Sequence, residues 1–215
     1  MRPLAFVCIC AAISLRASAT DVAFRLVDAV GAPVADAVVS LVALDAPAKI
    51  SPPAEPLEIA QNGQEFSTFV TPLVVGTTVN FPNEDKVSHQ VYSLSPAKKF
   101  VFPLYKPGTR GTVTFDQPGV VALGCNIHDW MRAYIVVLGT PLFGKSARDG
   151  TATITAVAPG FYRAEVWHPR LGKNETREIS LAASDITART ESFTLALKPD
   201  RRIHRSPEGS GGGYK

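Results

Sequence analysis

Little in this 215-residue chain advertises a common catalytic or cofactor chemistry. Cysteine occurs three times, histidine four times, and methionine and tryptophan twice each. Neither charge sign dominates, with 22 basic residues against 19 acidic, and five of the basic ones (Lys198, Arg201, Arg202, Arg205, Lys215) cluster from residue 198 onward. The remaining body is near neutral, so the basic isoelectric point implies no nucleic-acid partner. No Gly-rich phosphate loop, dinucleotide fingerprint, HExxH helix or paired-carboxylate signature occurs. Beyond the first residues, no apolar run reaches the ~18 residues of a transmembrane helix. The composition also excludes collagen, a coiled coil, a disulfide-stapled miniprotein and a mostly disordered chain.

What is present begins with an export signal. Arg2 precedes an apolar run from Pro3 to Leu15, and Ala17-Ser18-Ala19 forms a small-x-small cleavage site. Residues 1–19 are therefore expected to be removed, leaving a periplasmic or secreted protein with no stable membrane insertion. Cys8 and Cys10 leave with the signal, so Cys125 stands alone in an oxidising compartment, where one thiol cannot form an internal disulfide. At the other end, residues 199–215 are rich in Gly and Arg, contain His204, and read as a disordered basic tail.

Between the ends, short segments rich in Val, Thr and aromatics are bounded by Gly, Pro, Asn and Asp, the pattern of an all-β protein. Tyr162, Ala164 and Val166 alternate with Arg163, Glu165 and Trp167, and Thr77, Val79 and Phe81 alternate with Thr78 and Asn80. Each alternation predicts a strand with one buried face. Phe193, Leu195 and Leu197 make a third. Pro47, Pro52, Pro53 and Pro56 exclude a central strand and mark residues 46–56 as a linker. His168, between Trp167 and Pro169, reads as a surface histidine at a strand end. Tyr105, Tyr134 and Tyr162 fit strand faces.

The segment that carries chemistry is Pro118 to Met131. A turn and a short apolar strand lead to Cys125, followed by His128 and Met131 in a Cys-x2-His-x2-Met spacing. Upstream, a strand from Gly76 to Asn83 delivers His89. A thiolate, two imidazoles and a thioether form the donor set of a type-1 copper site, with one copper ion and both Cu(I) and Cu(II) tolerated. The same residues admit other readings: a copper transport or delivery protein without redox traffic, or an enzyme in which Cys125 is a nucleophile and a histidine its base. For that enzyme, Asp129 is the only obvious orienting acid in the sequence. Zinc has no use for a thioether and ranks below copper.

The ligand loop resembles those of cupredoxins, and its spacing is similar to that of amicyanins, over about residues 57–139. The resemblance implies a Greek-key sandwich and an electron carrier rather than an enzyme, exchanging electrons with a periplasmic dehydrogenase or a c-type cytochrome. It further implies that the Asn83 amide helps hold the ligand loop and hydrogen-bonds near the thiolate sulfur. Ile127 and Trp130 would line an apolar patch around His128 where electrons enter. The Asn126-Ile127 pair departs from the amicyanin pattern. The flanks, residues 20–45 and 140–198, resemble the two halves of a carboxypeptidase regulatory-like (transthyretin-like) β-sandwich. That resemblance rests on Gly31, Pro33, Ala37 and Val39, then Asp149 and Gly150, then Pro159, Gly160 and Tyr162. It implies a metal domain inserted into a second, split sandwich.

Overall fold

The computed structural model describes residues 19–45, 48–182 and 189–201. The expected export signal up to residue 18, Pro47, His204 and the tail beyond residue 201 lie outside the described residues. All regular structure among the described residues is β. The first nine strands are β1 (Thr20–Asp28), β2 (Val38–Ala43), β3 (Leu57–Glu58), β4 (Gln61–Asn62), β5 (Glu65–Phe66), β6 (Val70–Val74), β7 (Thr77–Pro82), β8 (Tyr92–Ser95) and β9 (Lys98–Val101). Then follow β10 (Arg110–Phe115), β11 (Gly119–Gly124), β12 (Arg132–Leu138), β13 (Phe143–Lys145), β14 (Thr151–Val157), β15 (Gly160–Trp167), β16 (Glu175–Leu181) and β17 (Arg189–Leu195).

The strands segregate around two apolar cores. The five-stranded sheet β6-β12-β11-β8-β9 faces the three-stranded sheet β10-β7-β3. Val79, Phe81, Phe115, Val121, Leu123 and Ile135 are among the side chains that fill the space between them. Every buried residue of that core falls between 59 and 137. The second core lies between the sheets β13-β2-β15-β16 and β14-β1-β17, and its buried residues come only from 22–41 and 152–195. In β15 the alternation reads as the sequence predicts, with Tyr162, Ala164 and Val166 all buried. Burying a large apolar side chain such as Val166 contributes about 1.5–3 kcal/mol against leaving it in water. The segment 48–56 has no strand, and β3 then pairs in parallel with β7.

A third, small cluster joins the two sandwiches. Val38 meets Val70 and Val136, flanked by Phe69, Tyr134, Leu138 and Trp167. The Lys145 ammonium crosses the same seam, donating to the Val70 carbonyl at 2.9 Å and facing Asp36 at 3.5 Å. One expectation fails here. His168 is 6% exposed rather than a surface residue, because the chain folds back after β15 and the Arg170 N–H donates to His168 Nδ1 at 3.2 Å.

β11 and β12 form the hairpin that carries the chemistry. Their register runs from Gly119 opposite Val137 to Gly124 opposite Arg132, so Cys125 to Met131 is the connecting loop. Tyr92 pairs with Gly124, and its ring lies 2.8 Å from where a β-carbon at that position would sit. Only glycine allows the Tyr92 ring this close to the backbone beside Cys125.

Candidate metal centre

His89 arrives on the loop after β7. Its backbone pairs with Tyr105 in an isolated antiparallel bridge, with N–H to O distances of 3.1 and 2.9 Å. The ring is completely buried. A buried imidazole needs its polar atoms engaged, and Asp85 supplies one partner: its carboxylate lies 2.7 Å from His89 Nε2. An ionised carboxylate can only accept, so Nε2 carries a proton, and in the neutral ring Nδ1 is the atom left with a lone pair. That lone pair faces Cys125, with Nδ1 3.9 Å from Sγ.

Asp85 is itself held from a third direction. It accepts the backbone N–H groups of Gly63 at 2.7 Å and Gln64 at 2.8 Å, at the tip of the β4–β5 hairpin. Both tip residues adopt positive φ, 65° and 59°, which turns successive N–H groups toward one carboxylate. Burial pushes the Asp85 carboxyl up, but the Gln64 N–H, His89 and the Gly63 N–H together outweigh it and leave the group below its ordinary value.

Cys125 is buried and free of any disulfide. Its loop is tied to the His89 segment, since the Asn126 side-chain amide donates to the Gln90 side-chain carbonyl oxygen at 2.7 Å. At the end of the loop, the Met131 N–H donates to the His128 carbonyl at 2.9 Å and closes it into a turn. One ring nitrogen of His89, Cys125 Sγ and one ring nitrogen of His128 all lie within 4.8 Å of one another. The two imidazole rings are 5.0 Å apart between centroids. Met131 is buried in the same core cluster as Cys125.

The donor set suits copper. A soft cysteine sulfur and two imidazoles converge in a buried place, and a carboxylate holds one imidazole so that its other nitrogen points inward.

The remaining sequence candidates fall in three places. Ile127 is 52% exposed, as an entry patch requires. Trp130 is half-buried against the core. Its ring packs on His128 at 5.1 Å, and its indole N–H donates to the Gln64 carbonyl at 2.9 Å. Gln64 therefore touches both histidines indirectly, through Asp85 on one side and Trp130 on the other. Asn83 is buried, but its amide hydrogens go to the carbonyls of Val87 at 2.9 Å and Tyr105 at 3.2 Å rather than toward Cys125 Sγ. Its own carbonyl oxygen accepts the Asp85 N–H at 3.0 Å. Both its hydrogens are thus committed, and Asn83 braces the loop that presents Asp85 and His89.

Sequence reading missed Asp85, Gln64 and Tyr105. Asp85 lies four residues before His89, a spacing that means proximity on a helix and nothing on a loop. The Tyr105 hydroxyl donates to the Phe81 carbonyl at 3.0 Å and accepts from the buried Gln61 amide. Burial, with the neighbouring Cys125 adding to it against the Gln61 hydrogen bond, pushes this phenol up to about 12.

No family model and no curated protein matches the chain. Solved structures do. A Cu-containing nitrite reductase from Thermus scotoductus SA-01 is 30% identical over 45% of this chain and 25% of its own, with a TM-score of 0.38. The chain thus spans a quarter of that enzyme's length. A mutant amicyanin in its oxidised state is 22% identical over 39% of this chain and 82% of its own, with a TM-score of 0.37. A purple cupredoxin from Nitrosopumilus maritimus is 26% identical over 38% of this chain and 99% of its own, with a TM-score of 0.35. The likeness is to cupredoxins, and none of these structures bears on the transthyretin-like resemblance of the flanking segments.

Proposed function

We propose that this chain is an exported type-1 copper protein that carries single electrons between periplasmic redox partners, such as a dehydrogenase and a c-type cytochrome. The observation that carries the reading is the convergence of Cys125, His89 and His128 within 4.8 Å in a buried setting. Cys125, His89 and His128 would hold one copper ion, with Met131 supplying a further, weaker thioether donor. Bound there, copper supplies a one-electron couple between Cu(I) and Cu(II). The protein's part is to keep the donors still. Asp85 and the Tyr105 bridge lock His89, the Asn126–Gln90 bond ties the ligand loop to the His89 segment, and β11 and β12 anchor both ends of that loop. Rigid donors minimise rearrangement between oxidation states. Ile127 beside His128 offers an apolar contact for a partner. The bracing of His89 argues against easy metal exchange, and so against the delivery reading.

One observation favours a second reading. Asp85, His89 and Cys125 also stand in the order of an acid, a base and a thiol nucleophile, so the acid beside the histidine in the fold is Asp85 rather than the Asp129 of the sequence argument. Burial of both Cys125 and His89 opposes it, and it leaves His128 without a role.

The test is the visible spectrum of the protein after one equivalent of Cu(II), beside Cys125→Ser. An intense thiolate-to-copper charge-transfer band that vanishes in the variant is the expected result. A colourless protein whose Cys125 reacts rapidly with iodoacetamide would replace electron transfer with nucleophilic chemistry.

A further inference from the structure

The seam between the two sandwiches opens into a cavity of about 600 Å³, within the size range of small-molecule sites. It is separate from the metal centre: no residue of the donor set lines it. Four cations from three separate segments border it. Arg132 comes from the metal-bearing sandwich, Arg170 from the loop after β15, and Lys198 and Arg201 from the chain beyond β17. Two of these segments are stitched together. Arg170 Nε donates to the Lys198 carbonyl at 2.6 Å, and the Lys198 N–H returns to the Arg170 carbonyl at 2.9 Å.

Three acids share the border, and two are engaged elsewhere. Asp28 accepts the N–H groups of Val30 and Ala32 at 3.0 and 2.9 Å, and Asp36 faces Lys145 at 3.5 Å. Asp200 is the third, and it too has a partner. By contrast, neither the Arg132 nor the Arg201 guanidinium has an ion pair or side-chain hydrogen bond among the described residues. Like charges are thus gathered at one opening with two guanidinium forks to spare, and such forks suit carboxylate, sulfonate or phosphate oxygens.

The floor is apolar. Phe69 and Tyr134 meet there edge to face at 5.5 Å. Val34 and Leu197 complete that surface. Arg132 and Tyr134 alternate with the core-facing Met131, Ala133 and Ile135, so the strand that closes the metal loop presents its other face to this cavity.

We propose that the seam is a binding site for a small organic anion, with its acid group on Arg132 and Arg201 and its apolar or aromatic body against Phe69 and Tyr134. The site needs both sandwiches, which gives the joined architecture a role that neither core has alone. It is independent of the copper reading and is tested on metal-free protein.

The probe is 8-anilinonaphthalene-1-sulfonate, followed by fluorescence titration of the full chain. One probe is expected to bind per chain and to be displaced by benzoate. Arg132→Gln and Arg201→Gln should each weaken it about tenfold or more, because each removes a hydrogen bond to a charged group. Both side chains are exposed, so thermal unfolding should be unchanged and the loss should not be one of folding. Unchanged affinity in the double variant would overturn the proposal. So would equal binding of the uncharged N-phenyl-1-naphthylamine, which would reduce the seam to an apolar patch.

Discussion

Replacing Asp85 with asparagine keeps the shape of the side chain and removes its charge. In the native protein three donors converge on this carboxylate, namely His89 Nε2 at 2.7 Å, the Gly63 N–H at 2.7 Å and the Gln64 N–H at 2.8 Å. Asparagine offers one acceptor oxygen, and its NH2 group faces a donor. Hydrogen bonds to charged groups contribute about 1.5–3 kcal/mol each, so losing one or two of the three costs about 1.5–6 kcal/mol. In a chain of this size that lowers Tm by roughly 3–24 °C. The same change releases the His89 tautomer and should weaken copper binding about 10–100-fold, as removal of an outer partner of a ligating histidine does. Calorimetry of metal-free Asp85→Asn measures the first effect, and competition with a copper chelator the second. A variant that melts with the wild type and holds copper equally well would refute the role assigned to Asp85.

Three further outcomes follow from the same geometry. Because the Asp85 carboxyl sits below its ordinary value of 3.8 in the folded protein, its stabilisation is complete above that pH and is lost as pH falls through the lowered value. The gap in urea midpoint between wild type and Asp85→Asn should therefore be wide at pH well above 3.8 and narrow below it. Met131→Leu conserves volume in a buried site and should cost under about 1.5 kcal/mol. It should retain copper while voltammetry shows a shifted potential, and complete loss of copper would count against so weak a role for Met131. Gly150→Ala must place a β-carbon 2.4 Å from the Leu26 carbonyl at a φ of 77°, which should destabilise the flanking sandwich by about 2 kcal/mol or more. Its charge-transfer band should nonetheless match the wild type, because Gly150 and the donor set belong to different sandwiches, and a bleached band would show that the two are coupled.

The strand alternation was legible in the sequence because a period of two is a local property: Tyr162, Ala164 and Val166 face inward whatever they pack against. The loop from Cys125 to Met131 was equally legible, since three unusual side chains within seven residues leave few chemical readings. His89 was identified by donor type, and the fold supplied its distance from Cys125. Other features had no local signature. Asp85, the hairpin tip at Gly63 and Gln64, and Trp130 become one network only when β4 and β5 fold against the ligand loop, 66 residues along the chain from Gln64 to Trp130. The commitment of the Asn83 amide to Val87 and Tyr105, and the burial of His168 under the turn to Arg170, likewise depend on which segments the sheets bring together. The residue types and periodicities alone determined an all-β chain and its candidate donor set. Their convergence, the acid that orients His89 and the charged seam between two cores were decided by tertiary structure, because each depends on contacts that no local pattern of residues encodes.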